Sequence, residues 1–235
     1  MKIDVKGKLE SSYVEAPFDQ AKKELESNGY RIISLSENAK LRIQEGKNAF
    51  VSQNGNWTAE DFIYLPNKQV YLTKNSPIMK NAEKATNCHR KGEEFYLTSK
   101  QVDYALTNAV KIKDTKIPTN RFGEAELTNF CFGESAKAYG EFLKNAGIDD
   151  MPVYLCNTEK KPFARKLWFW DLGSGSGLVG GGDLGYDSGA RGVHESNAEG
   201  VAQKIEAYTI KDISNALKEA NLSGIEKVLL EKLKK

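Results

Sequence analysis

From Leu167 to Glu195 the chain reads LWFWDLGSGSGLVGGGDLGYDSGARGVHE, and the side chains on offer there are suited to recognition. Asp171, Asp183 and Asp187 supply carboxylates, Ser174 and Ser188 hydroxyls, and Trp170 and Tyr186 aromatic faces. An aromatic pair flanked by carboxylates favours a partner with apolar and cationic groups. Bulky residues (Leu167, Trp168, Phe169, Leu172, Leu178, Leu184, Val193) alternate with small or polar ones, as in a scaffold carrying an interchangeable surface. Between Asp171 and Ala190 there is no Lys, Glu, Gln, Met or Trp, although Lys and Glu are common in the rest of the chain. The non-leucine types present are those reached from an Asn codon, AAC or AAT, when its adenines are replaced by any base. Codon logic fits this set better than packing logic. Trp170 is the exception, because Trp needs a different template codon, such as AAG.

A run this rich in glycine also reads as a flexible linker. Against that stand Leu172, Leu178 and Leu184, which require burial. A phosphate-cradling loop at Gly173–Gly177 lacks the following amphipathic helix and the closing Lys-Ser/Thr pair. Adjacent Cys88 and His89 could ligate a metal, but no second Cys or His lies at ligand spacing and the other histidine is His194. No metal, cofactor or catalytic residue is expected.

The chain of 235 residues can bury one substantial core, or one domain with an appended piece. Its 34 basic and 32 acidic residues leave a formal charge of +2, with no electrostatic footprint for nucleic acid or anionic membrane. No apolar run is long enough to span a bilayer or to serve as a signal peptide, so a cytoplasmic protein without membrane insertion is expected. Three widely separated cysteines, Cys88, Cys131 and Cys156, read as reduced thiols.

Several elements must position the glycine-rich stretch. A helix is expected from Pro17 to about Asn28, stopped by Gly29, then a strand at Tyr30–Leu35. Ser36 reads as the N-cap of a second helix closed by Gly46. Phe50–Ser52, Asp61–Leu65 and Gln69–Leu72 read as strands of antiparallel hairpins broken by Asn-Gly and Pro-Asn. Helices are expected over Ser76–Arg90, Ser99–Val110 and Phe132–Asn145, and a strand at Met151–Leu155. If Leu167–Leu172 is a strand, Trp168 and Trp170 share a face. From Val201 the tail holds a strand-like IEAYTI and two helix-like runs.

The run PFARKLWFWDLGSGSGLVGGGDLGYDSGARGV resembles the variable region of archaeal diversity-generating-retroelement variable proteins. Their fixed points correspond here to Pro162, Phe163, Ala164, Arg165, Leu167, Trp168, Phe169, Leu172, Ser176, Leu178, Gly180, Leu184, Arg191, Gly192 and Val193. Upstream, NAKLRIQEGKNAFVSQNGNW, YLTKNSPIM and IPTNRFGEAELTNFCFGESAKAYGEFLKNAGIDDMPVYL are also similar to the family. About forty residues follow Val193, more than in members whose variable region ends the chain.

The resemblance implies an α+β, C-type-lectin-like fold of the kind shared with formylglycine-generating enzymes. In it a twisted antiparallel sheet and helices support long ligand-binding loops. It implies an N-terminal segment 1–48 packing on the core, a lectin-like domain 49–200 with the variable region 167–195, and an appendage 201–235. The positions that vary would be Trp170, Asp171, Gly173, Ser174, Gly175, Gly177, Val179, Gly181, Gly182, Asp183, Gly185, Tyr186, Asp187, Ser188 and Gly189, with Ala190 as an addition. Leu167, Trp168, Phe169, Leu172, Leu178, Leu184 and Arg191 would be scaffold.

A non-catalytic, monomeric protein that binds a protein or other macromolecule through a retroelement-diversified face is therefore expected. Two alternatives are an oxidase on the formylglycine-generating scaffold, which needs paired cysteines near that face, and a calcium-dependent sugar-binding lectin, which needs a fixed cluster of oxygen ligands. For the glycine-rich stretch to be ordered, the three leucines should enter the core. Arg191 should be at least partly buried and bonded to backbone carbonyls or a carboxylate.

Overall fold

The computed structural model describes residues 9–185 and 188–195. In chain order these form β1 (Leu9–Ala16), α1 (Phe18–Ser27), β2 (Arg31–Ile32), α2 (Leu35–Glu45), α3 (Phe50–Gln53), β3 (Asn56–Leu65), β4 (Gln69–Thr73), α4 (Pro77–Lys80) and α5 (Ala82–Arg90). They continue with β5 (Phe95–Tyr96), α6 (Ser99–Leu106), β6 (Ala109–Lys111), β7 (Lys116–Pro118), α7 (Glu126–Phe132), α8 (Ala136–Asn145), β8 (Asp150–Tyr154), β9 (Phe163–Phe169), β10 (Leu178–Val179) and β11 (Ser188–Glu195). Ser11–His194 make up one compact unit, so residues 11–48 belong with the strands that follow them. The expected appendage 201–235, with Tyr186 and Asp187, lies outside the described residues.

The sheet runs β1-β11-β3-β9-β10-β8-β7, with β2 on β11, β4 on β3, β6 on β4 and β5 on β9. Most pairs are antiparallel; β10 runs parallel to β8, and β11 parallel to β3. Alternation along the strands sends residues to two cores on opposite faces. Phe62, Tyr64, Phe163, Leu167 and Phe169 join one core with α2, α7 and α8. Trp57, Ile63 and Ala164 join the other, with α1, α4, α5 and α6, and Trp168 packs against it.

Between Trp57 and Asp61 the register of β3 against β9 shifts, three residues of β3 (58–60) passing one of β9 (Leu167). This bulge brings two adjacent carboxylates into the interior, one on each side. Glu60 accepts the Leu35 amide at the start of α2 with both oxygens, at 3.1 Å. Burial pushes its carboxyl above the usual carboxylate range. Asp61 accepts from the Ile78 amide (2.9 Å) and the Ser76 hydroxyl (2.5 Å) at the start of α4. Its other oxygen meets Lys166 Nζ at 2.7 Å, both side chains being fully buried. Lys166 also donates to the Ala59 carbonyl (2.9 Å) and to Ser76 Oγ (3.2 Å), so all three ammonium protons have partners.

Several expected boundaries moved. Ser34, not Ser36, caps α2, in a capping box with Glu37; Ser36 Oγ donates instead to the Phe132 carbonyl. Phe50–Ser52, expected as a strand, lies in helix α3, whose Val51 carbonyl accepts from the buried Arg42 Nε. The helix expected over Ser76–Arg90 breaks at Asn81, whose side chain donates to the Pro77 carbonyl. The one expected over Ser99–Val110 stops at Leu106, because Val110 pairs with Leu72 in β6. Likewise α8 starts at Ala136, after a separate α7 that closes on Gly133 at φ +54°. Strand β9 ends at Phe169, so Trp170 leaves the alternation that would have placed it beside Trp168.

The connection from β10 to β11 is tied to the helices on one face. Phe18 N–H donates to the Leu184 carbonyl (3.0 Å), and the Leu184 amide donates to His89 Nδ1 (3.1 Å). His89 is buried, and burial, with Arg165 nearby, holds its pKa down at about 4 despite Asp183. An imidazole whose Nδ1 accepts from an amide must be neutral there.

Two outcomes are expected. Lys166→Met leaves the Asp61 carboxylate buried without its counter-charge, so denaturant unfolding should show a loss of about 3 to 5 kcal/mol. Because His89 titrates lower in the folded chain than in the unfolded one, its contribution is fully present above about pH 6.5 and is lost as the pH falls toward 4. That contribution is on the order of 3 kcal/mol. His89→Gln keeps an acceptor for the Leu184 amide, so urea midpoints should fall less steeply between pH 7 and 4.5 than for the unsubstituted chain. An equally steep fall would remove His89 as the cause.

Candidate functional site

Two loops flank β10 and make up the glycine-rich stretch. The first leaves β9 at Trp170 and is knotted by its own backbone: Trp170 N–H donates to the Gly177 carbonyl (2.9 Å), Ser176 N–H to Asp171 (2.9 Å) and Gly175 N–H to Leu172 (3.0 Å). Leu172 is buried, and its amide reaches the Ser52 carbonyl at 2.9 Å. Ser176 is fully buried at φ +54°, a left-handed conformation that a non-glycine residue holds only when its surroundings enforce it.

Arg42 enforces it. This arginine, fully buried on α2, donates from Nη1 to Ser176 Oγ (2.9 Å) and to Tyr139 Oη (3.1 Å), and from Nε to the Val51 carbonyl (3.0 Å). Ser176 and Tyr139 hydroxyls are 2.6 Å apart, and the guanidinium lies 4.1 Å above the Phe169 ring. One cation thus ties α2, α3, α8 and β9 to the loop.

The side chains left outside this clamp bond only to their neighbours. Asp171 accepts the Ser174 amide (2.8 Å) and hydroxyl (3.1 Å), closing an Asx-type turn over exposed Gly173. In the second loop Gly180 donates to the Tyr154 carbonyl (2.9 Å), and its own carbonyl accepts from Tyr64 Oη (3.4 Å) and Cys156 Sγ (3.3 Å). Asp183 accepts the Gly185 amide (2.8 Å) and lies 3.7 Å from His89 Nδ1.

The expected ligand-contacting positions fall into two groups. Trp170, Asp171, Gly173, Ser174, Gly175, Val179, Gly181, Gly182, Asp183, Gly185 and Ser188 are exposed or half-buried. Trp170 packs on Tyr154, ring centroids 4.8 Å apart at 56°. Val179 sits between Tyr154 and Trp168 in the sheet register, and Gly181 lies beside Cys156, so these residues share one strip across β8, β10 and the second loop. Gly177, Gly189 and Ala190 are buried. A Cβ on Gly182 would overlap the Trp57 ring, and one on Gly189 the Tyr13 ring, so a side chain at either position requires an aromatic neighbour to move.

A groove of about 810 Å³ runs along the first loop, lined by Leu172–Gly175 on one side and by Asp149, Asp150, Pro152 and Tyr154 on the other. Lys116, on the neighbouring strand β7, pairs with Asp150 at 2.9 Å. While Tyr186, the other expected aromatic, lies outside the described residues, Tyr154, 48% exposed, supplies an aromatic face beside Trp170. Its signal was available: with Met151 and Val153 turned inward, Tyr154 must face outward. Arg42, by contrast, carries no sequence mark of its role.

Arg191 departs from expectation. It is buried, but no carbonyl or carboxylate bonds to it among the described residues; Nη1 donates to Ser11 Oγ at 3.0 Å, and the guanidinium lies against the Tyr13 and Phe50 rings. Cys131 is buried in the core and Cys156 half-buried, each thiol pushed up by burial. Among the described residues no three His, Cys, Asp or Glu side chains converge as a metal site, and no helix is long and apolar enough to cross a membrane.

No protein-family model matches the chain, and no curated protein sequence matches it. Among solved structures it is similar to one described as showing the accommodation of massive sequence variation in Nanoarchaeota by the C-type lectin fold. The TM-score is 0.59 at 17% identity, over 80% of this chain and 98% of that one. At that identity the likeness concerns the fold, and the fold of this chain is the C-type lectin fold, with a twisted open sheet between helices.

Proposed function

We propose that this is a non-catalytic binding protein whose loops between Trp170 and Gly189 form a ligand face diversified by a retroelement through adenine-directed mutagenesis. The observation that carries the reading is the division of labour within the loops. Ser176, Leu178 and Leu184 are gripped by residues outside the loops, while Asp171, Ser174 and Asp183 bond mainly to the loops themselves. Exchanging the second set leaves the grip intact. The confinement of residues 171–190 to types reached from an Asn codon, apart from leucine, supports the same reading, as does a structural neighbour described in terms of sequence variation on this fold.

The present surface favours a macromolecular partner offering apolar and cationic groups. Trp170 and Tyr154 supply adjoining aromatic faces, Asp149 lines the same groove as Tyr154, and Asp171 follows Trp170 in the chain. Glycine elsewhere on the face adds little side-chain contact.

The nucleotide sequence tests the mechanism of diversification. An adenine-rich, near-identical copy of codons 167 to 195 is expected beside a reverse-transcriptase gene; a genome lacking such a copy would sink that part of the reading and leave the fold standing. Thermal melts test the division of labour. Alanine at Asp171, Ser174 or Asp183 should change stability within about half a kcal/mol, as surface changes do. Leu178→Ala should cost on the order of 3 kcal/mol through the cavity it leaves. Gly182→Tyr should cost about 1 to 3 kcal/mol by displacing Trp57, whereas Gly173→Ser and Gly181→Ser should be nearly neutral. Equal losses in the two groups would make the loops core and defeat the binding reading.

A further inference from the structure

Three arginines inside the Ser11–His194 unit use their guanidinium groups differently. A guanidinium presents two parallel N–H groups along its Nε–Nη2 edge, a fork matched to the two oxygens of a carboxylate. Arg165 fills that edge with Glu94, Nε meeting Oε2 at 2.7 Å and Nη2 meeting Oε1. Arg42 directs Nε to the Val51 carbonyl and Nη1 to two hydroxyls, which leaves only Nη2 without a partner among the described residues and breaks the edge pair. Arg191 is 4% exposed, yet only Nη1 is used, on Ser11 Oγ; Nε and Nη2 have no partner among the described residues.

An ionised group shut away from water without hydrogen bonds is costly, and such groups in folded proteins find a partner. Here the surroundings offer ring faces. The Tyr13 and Phe50 centroids lie 5.2 and 5.4 Å from Cζ and 5.1 Å from each other. These attract the cation without using its N–H groups. Burial pulls the pKa of Arg191 down to about 10, with Glu45 and Tyr13 acting against the shift and Arg42 adding to it. Phe50 is 54% exposed on the four-residue helix α3, so one of the two rings against the guanidinium borders solvent.

We propose that the free Nε–Nη2 edge of Arg191 is a binding subsite for a carboxylate carried by a ligand, taken as Glu94 is taken by Arg165, with the ligand's apolar part against Phe50. One buried cation calls for one negative charge, which favours a carboxylate over a phosphate. The subsite adjoins Gly189, at the end of the loop face, because Tyr13 touches both. It does not depend on the loops being diversified.

The test follows the Nε–Hε resonances of the full ¹⁵N-labelled chain by NMR, with that of Arg191 assigned by its loss in Arg191→Lys. Sodium benzoate is titrated against sodium chloride and inorganic phosphate at matched ionic strength. Benzoate should move the Arg191 resonance saturably and leave that of Arg165, whose edge is occupied, in place. Phe50→Ala, which keeps the guanidinium and removes one ring beside it, should retain the response with affinity weakened several-fold. The proposal is overturned if benzoate moves nothing or if chloride or phosphate moves the resonance equally. It is also overturned if Arg191 in the ligand-free chain already resonates where the carboxylate-bound Arg165 does, since a carboxylate of the chain itself would then fill the edge.

Discussion

Two consecutive carboxylates at the bulge of β3 hold the molecule together from its middle. Because neighbouring residues of a strand face opposite sides, Glu60 reaches the start of α2 in one layer and Asp61 the start of α4 in the other. A carboxylate at a helix N-terminus satisfies amides that have no partner within the helix. Asp61 further carries Lys166 of β9, which is enclosed with it. Such a pair adds little net stability over an apolar one, but it tolerates few geometries. It sits where the register of β3 against β9 resumes after the bulge, on the two strands from which the rest of the sheet extends.

Everything the loops do follows from that register. With Lys166 placed against Asp61, Phe169 stands under Arg42 and the chain leaves β9 at Trp170. Glycine-rich backbone loses much entropy on ordering and recovers little through side-chain burial. Order is accordingly imposed at a few points, namely Leu172, Ser176, Leu178, Gly180 and Leu184, each held by an atom or a core outside the loops. Between those points the chain makes short local turns, closed within the loops by Asp171 on Ser174 and Asp183 on Gly185.

The three arginines show how the same side chain serves different ends according to its partners. Arg42 uses Nε and Nη1 on a carbonyl and two hydroxyls, with Nη2 unpartnered among the described residues, and becomes a structural clamp. Arg165 meets Glu94 and joins β9 to the residues preceding β5. Arg191, held by one hydroxyl between two rings, retains an unsatisfied edge. An arginine's burial alone does not reveal which of these it is; the disposition of its five donors does.

Local chemistry was enough to place several elements. Phe18, Ala21 and Leu25 at helical spacing with Gly29 behind them specify α1, and alternating aromatic and β-branched residues around Pro66-Asn67 specify the hairpin of β3 and β4. The burial of three leucines in a glycine-rich run is readable from their type. What sequence could not supply were choices made by residues far away. Ser34 rather than Ser36 caps α2 because Glu60 meets the Leu35 amide. Trp170 pairs with Tyr154 because β10 lies parallel to β8. Arg42 rather than Arg191 clamps the loop because Tyr139 and Ser176 converge on it across the core. Periodicity and capping are local and leave a trace in neighbouring residues, whereas the partner of a buried polar group is selected by chain closure over many residues and leaves none.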